Sequence, residues 1–174
     1  MILPNPKGQL PTIDPSAFVA PTAIIIGDVT IGPEANIWFG AVIRADWGNI
    51  RVGARTSVQE NAVLHIEAGT NLEVGEDCIL GHGTIVHGPG KIGNKCLIGI
   101  GAIIMQGSTI GDGCIVAGGA VVRGAVKEKV MVAGVPAEIK KELSDVNVRN
   151  NIQNANIYVN NGKAFKKMLE EKKF

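Results

Sequence analysis

Large rings are scarce in this sequence: Phe, Trp and Tyr make up 4% of its 174 residues. An ordinary core of that size would use more of them, so the interior is expected to consist of many small, equal cells. Cysteine is scarce too, and three residues are too few and odd in number for a disulfide framework. Neither charge is in excess, with Lys and Arg at 17 and Asp and Glu at 16. That balance removes the general electrostatic reason to expect nucleic acid or an anionic membrane as partner. Long hydrophobic runs are missing as well. The most apolar stretch, Cys96 to Met105, is short and broken by Gly99 and Gly101, which argues against a membrane span. Pro4 and Pro6 stand where a secretory signal needs an apolar helical run. The expectation is a soluble, cytoplasmic chain forming one domain.

What the sequence has is glycine, 23 residues of it, and a period. From Val19, steps of six reach Ile25, Ile31, Ile37 and Ile43. After one break the step resumes at Val52, Val58 and Leu64. After a second it runs through Val74, Leu80, Val86, Ile92, Ile98, Ile104, Ile110, Val116 and Val122. Two residues before each marker stands a mostly small residue, such as Ala41, Ala62, Thr84 or Ala102, and Gly often follows the marker. One branched aliphatic inward, one small residue inward and Gly at the corners describe a triangular coil, three units to a turn. Each edge would be a short strand pairing with the coils above and below at ~4.8 Å.

This pattern resembles the hexapeptide-repeat superfamily over roughly residues 14–136. The resemblance implies a mainly β fold, a left-handed parallel β-helix against the usual right-handed preference. Val132-Ala-Gly-Val-Pro-Ala137 is similar to a common exit from such coils. Residues 1–136 are therefore assigned to the lead-in and β-helix, and 137–174 to a C-terminal helical segment packed on it, one domain overall. The helix would start near the N-cap candidate Ser144 and bury Ile152, Ala155, Val159, Phe165 and Leu169. Lys166 to Lys173 read as a solvated face.

Two side-chain sets invite chemistry. Cys78, Cys96 and Cys114 recur every eighteen residues at the small inward position, so they stack in one column. They are expected to fill the cell that Ala fills elsewhere, since a closed core gives metal no entry. The three histidines are His65, His82 and His87. His65 and His87 each follow a marker, and the markers lie three units apart once the surplus residues of the 66–73 loop are set aside. They should stack outward on adjacent coils, placed to share one ion, with Arg44 below His65 in the same column. His82 sits near another corner and cannot turn to the same ion. A threefold trimer would bring a neighbour's His82 to the pair, and three imidazoles leave the open fourth position of a catalytic zinc. The plain alternative is three scattered surface histidines.

Arg44-Ala-Asp46, Val58-Gln59-Glu60-Asn61, Leu64-His65 and Gly81-His82 through His87-Gly88 resemble the gamma-class carbonic anhydrase family, in its order. The resemblance implies a homotrimer with zinc (or Fe2+ or Co2+) held by His65, His82 and His87 across an interface. It implies a lyase interconverting carbon dioxide and bicarbonate, an Arg44–Asp46 ion pair between subunits, and Gln59 orienting the reactive water. Glu60 and Asn160 would contact bicarbonate, and Tyr158-Val-Asn160 resembles the family's Tyr and Asn beside the site. Glu60 stands where well-studied members have Asp. Trp47 replaces an acidic residue, and the 66–73 loop lacks an extended acidic insertion, which together imply low hydratase activity. Two other occupations fit the repeat: an acyl- or acetyltransferase using one His as general base, and a non-catalytic metal- or ligand-binding accessory scaffold.

Overall fold

A computed structural model of the chain describes residues 1–172, so the last residues of the expected helical segment, Lys173 among them, lie outside the described part. The chain coils into a prism of stacked parallel strands. Two faces share one twelve-stranded sheet, because the strands Ile24–Ile31 and Val42–Val52 bend round a corner between them. The third face is an eight-stranded sheet. The left-handed β-helix expected for the repeat is the fold observed.

The marker residues line the prism axis. Ile25, Ile43, Leu64, Leu80, Ile92 and Ile98 are fully buried, and the small positions Ala41, Ala62, Thr84 and Ala102 are buried beside them. Burying one such branched side chain contributes roughly 1.5–3 kcal/mol, and truncating one to Ala costs about 2–5 kcal/mol with its cavity. The breaks in the period leave the register intact: Ile43 pairs with Leu64 and Leu64 with Val86. The extra residues bulge at corners.

One corner column reads Asn61, Gly83, Gly101, Gly119, all with left-handed backbone at φ between 60° and 67°. Glycine reaches that conformation without strain, which lets Gly83 turn sharply and leave His82 at the tip of its turn.

The C-terminal part departs from expectation at one place. Glu138–Glu142 is not helical but a strand, antiparallel to Val130–Ala133. It covers the free edge of the last coil, and its sequence, Glu-Ile-Lys-Lys-Glu, puts charge on the new edge and discourages further pairing. The helix runs Asp145–Glu170 after Ser144, whose backbone N–H and hydroxyl both donate to Asn147 Oδ1, at 3.0 and 2.9 Å. Its buried face is Asn151, Ala155, Val159 and Gly162. Asn151 is buried because its amide donates to the Lys95 carbonyl at 3.0 Å, and Gly162 lets the helix approach Asn36 and Phe18 closely. Beyond it Phe165 joins Trp38 and Phe39, with centroids 5.5 and 6.0 Å away, so most of the few rings form one clasp. No described helix is long and apolar enough to cross a membrane.

Candidate functional site

The three faces of the prism differ in what they turn outward. On one, the in-register column Thr30, Arg51, Glu73, Lys91, Thr109 is polar, with Lys91 paired to Glu73 at 3.3 Å. The helix covers the second, lying over Phe18, Asn36 and their neighbours. On the third the outward column is Ile24, Val42, Val63, Ile85, Ile103, Val121, six branched aliphatics in register. Ile85 is 42% exposed, and nothing in the described chain covers this ladder as the helix covers the second face. Two residues along the same strands runs the column Ile26, Arg44, His65, His87. The candidate ligands therefore border an apolar face that the described residues leave open.

His65 and His87 are register partners with ring centroids 5.5 Å apart. His65 Nδ1 lies 2.9 Å from the Arg44 carbonyl oxygen and its Nε2 lies 3.1 Å from Arg44 Nη2. A guanidinium only donates and a carbonyl only accepts, so the proton belongs on Nδ1 and Nε2 keeps its lone pair. That is the tautomer a metal-binding imidazole needs, fixed by a backbone acceptor behind it. Arg44 also holds Asp46, two residues along, within the same chain. His87 Nδ1 is buried with no hydrogen-bond partner among the described residues. A buried ring nitrogen without a partner costs about 1–3 kcal/mol, which a bound water or ion would recover.

His82 lies on a different corner, and its Nδ1 sits 2.7 Å from Glu60 Oε2. The carboxylate fixes the tautomer here, as the carbonyl does for His65, and leaves Nε2 uncommitted. No group of three metal-competent His, Cys, Asp or Glu side chains forms among the described residues of one chain. The structure thus joins His65 with His87 and keeps His82 apart.

His82 opens on a cavity of about 630 Å³ between the helix and the corner turns. Gln59, 3% exposed, and Tyr158 line it with His82. Asn160 does not; it is exposed, and the helix supplies Asn154, Ile157, Tyr158 and Asn161 instead. These follow i, i+3, i+4, i+7, whereas a residue two past Tyr158 is turned about 200° round the helix axis. Helical geometry alone could have moved the amide from Asn160 to Asn161. Glu60, expected at substrate, is instead engaged by His82, and Ile100 and Ile157 at the cavity were not singled out by the sequence.

Residues 89–124 match the family model described as bacterial transferase hexapeptide (six repeats). Gamma carbonic anhydrase 2, mitochondrial, of Arabidopsis thaliana is 40% identical over 93 residues, which cover 49% of this chain and 33% of that protein. A carbonic anhydrase of Geobacillus kaustophilus is 41% identical over 87 residues, 50% of this chain and 47% of that protein. The chain thus spans between a third and about half of the length of these curated relatives. Over nearly its whole length it is similar to the crystal structure of a hexapeptide transferase family protein from Anaplasma phagocytophilum. That match has a TM-score of 0.89 and 31% identity, covering 95% of this chain and 98% of the other.

Proposed function

This chain belongs to the hexapeptide transferase family of left-handed β-helices, and on that footing we propose that it is a metal-dependent carbonic anhydrase working as a homotrimer. His65 and His87 of one chain and His82 of the next would hold the metal, with zinc first and Fe2+ or Co2+ as alternatives. The carrying observation is the in-register His65–His87 pair beside an uncovered aliphatic ladder, with the third imidazole on a corner that the same chain cannot bring round. A second copy seated on Ile85, Ile103 and Val121 would bury that ladder and carry its own corner to the pair. His87 Nδ1, without a partner among the described residues, and the uncommitted Nε2 of His82 fit such an ion, and His65 Nε2 fits it once the Arg44 guanidinium releases it. The carbonic anhydrases among its relatives support the reaction.

When bound, zinc supplies a Lewis acid that makes water nucleophilic near neutral pH. The chain's residues do the rest. Arg44 yields His65 Nε2 and is retained by Asp46, while the Arg44 carbonyl and the Glu60 carboxylate hold two of the rings in place. The Gln59 amide, buried beside His82, orients the attacking water, and Tyr158 walls carbon dioxide in from the helix side.

Protein purified without oxygen, with its metal quantified, should hydrate carbon dioxide. Trimers reassembled from His65→Ala and His82→Ala subunits should regain metal that neither parent binds. Hybrids no better than their parents would remove the shared site. A second reading rests on the Glu60–His82 contact itself: a carboxylate-backed imidazole at a cavity is also a general base for acyl transfer. A metal-free protein that transfers acyl groups would establish it.

A further inference from the structure

Carbon dioxide and bicarbonate have three and four heavy atoms, and the cavity beside His82 is far too large for either. At about 630 Å³ it falls among pockets that enclose organic ligands of drug-like size. Its walls are mainly aliphatic, from Ile79, Leu97, Ile100 and Ile157. Ile100 and Ile157 are 65% and 55% exposed, bare isoleucines on either side of a cleft. Among the described residues that line it there is no Lys, Arg, Asp or Glu. Away from His82, a phosphate-bearing or carboxylate ligand of that size would meet no cationic side chain along these walls. The polar groups are few and neutral, Gln59, Tyr158, Asn154 and Asn161, and they share the cavity with His82.

We propose that this cavity is the pocket of a second substrate class, uncharged aliphatic esters, with the ester carbonyl beside His82 and the chain along Leu97, Ile100 and Ile157. The inference rests on the metal-site reading for its chemistry. Carbon dioxide and an ester present the same electrophile, a carbonyl carbon. Water adds its oxygen to that carbon, the acyl carbon–oxygen bond breaks, and the departing alcohol takes a proton, giving acid and alcohol with no other reactant. Gln59 and Tyr158 offer hydrogen bonds to the carbonyl, and the aliphatic walls select the chain by the water they exclude.

Two measurements test it. Calorimetry with octanamide, which has the shape of the substrate and resists hydrolysis, should show binding to trimers with and without metal. Ile157→Asp, a change on an exposed helix position, should weaken that binding at least tenfold while circular dichroism and trimer mass stay the same. With metal-loaded protein, kcat/KM for 4-nitrophenyl acetate, butyrate, hexanoate and octanoate should climb about fourfold per added methylene, the ~0.8 kcal/mol of burying each one. Intact trimers that hydrate carbon dioxide but neither bind octanamide nor distinguish these esters would overturn the proposal and leave the hydratase reading standing; a neighbouring subunit would then fill the space. Octanamide binding in a protein that takes up no metal when metal is supplied would keep the pocket but overturn ester hydrolysis there together with the hydratase.

Discussion

Two columns of potential metal ligands run along this prism, one of thiols inside and one of imidazoles outside, and only the outer one is available. Cys78, Cys96 and Cys114 are buried, and each Sγ donates to a corner carbonyl: Gly93 at 3.0 Å, Gly111 at 3.2 Å and Lys127 at 3.0 Å. Cys78 Sγ also accepts from the Cys96 backbone N–H at 3.4 Å. The hydrogen bond to Cys78 and burial push the Cys96 thiol far above its usual range, and burial pushes Cys114 up to about 11. A protonated thiol with its donor satisfied is neither a nucleophile nor a ligand at neutral pH. Across the sheet, His87 has a buried nitrogen with no partner among the described residues, and His65 has one occupied only by a guanidinium that Asp46 can hold. Stacking alone makes no site. What decides is which side of the sheet the column faces and whether the backbone has already used its lone pairs and protons.

The sharpest way to break this comparison is to delete each column in turn. Removing one imidazole, in His65→Ala or His87→Ala, is expected to lower metal affinity on the order of 100-fold or more, beyond the 10–100-fold typical of outer-shell partners. The triple Cys78→Ala, Cys96→Ala, Cys114→Ala chain should keep full affinity. Chelator competition measures both. Metal lost from the cysteine-free protein would reverse the assignment of the two columns.

A smaller effect separates the columns by pH. Cys96 and Cys114 have folded-state pKa values above the ordinary thiol value near 9, so the unfolded chain loses these protons first. Their contribution to stability is whole below pH 9 and is lost as pH rises towards 11 and beyond. Urea midpoints should fall over that range, and the cysteine-free chain should show a shallower fall. Its unfolding free energy at pH 7 should drop by about 1 kcal/mol per thiol, the cost of a small cavity. An equally steep alkaline fall without the thiols would mean that other groups carry it.

What the sequence made legible was whatever repeats. The markers survive both breaks in register, and the stacking of Arg44, His65 and His87 follows from counting units. Elements that occur once were harder to read. Glu138–Glu142 is exposed along its whole length, so no alternation of burial marks it as a strand; only the free edge beside it does. The helix buries Asn151 and Gly162, one for a backbone carbonyl and one for close approach, and neither appears in an apolar pattern. The Glu60 contact with His82 depends on two corners meeting between coils, and residue identity alone left Glu60 assigned to substrate.

The smallest effect concerns the protons the outer column must release. Hydration of carbon dioxide liberates one proton per turnover, and an acceptor must lie within reach of the reacting water. Two carboxylates of the site are committed: Asp46 holds Arg44, and Glu60 lies 2.7 Å from His82 Nδ1. Trp47, next to Asp46, is half exposed, with Lys7 Nζ 5.8 Å from its ring centroid, and an indole takes no proton in this role. Turnover should therefore be slow and limited by proton transfer, and it should rise with imidazole concentration. Trp47→Glu adds a carboxylate at that corner, where Lys7 favours its ionised form, and should raise kcat a few-fold in dilute buffer and scarcely at all in concentrated buffer. Stopped-flow hydration across a buffer series measures both effects. Fast turnover indifferent to buffer would point to an internal acceptor, with the exposed Glu67 on the loop after His65 the first to replace by Gln.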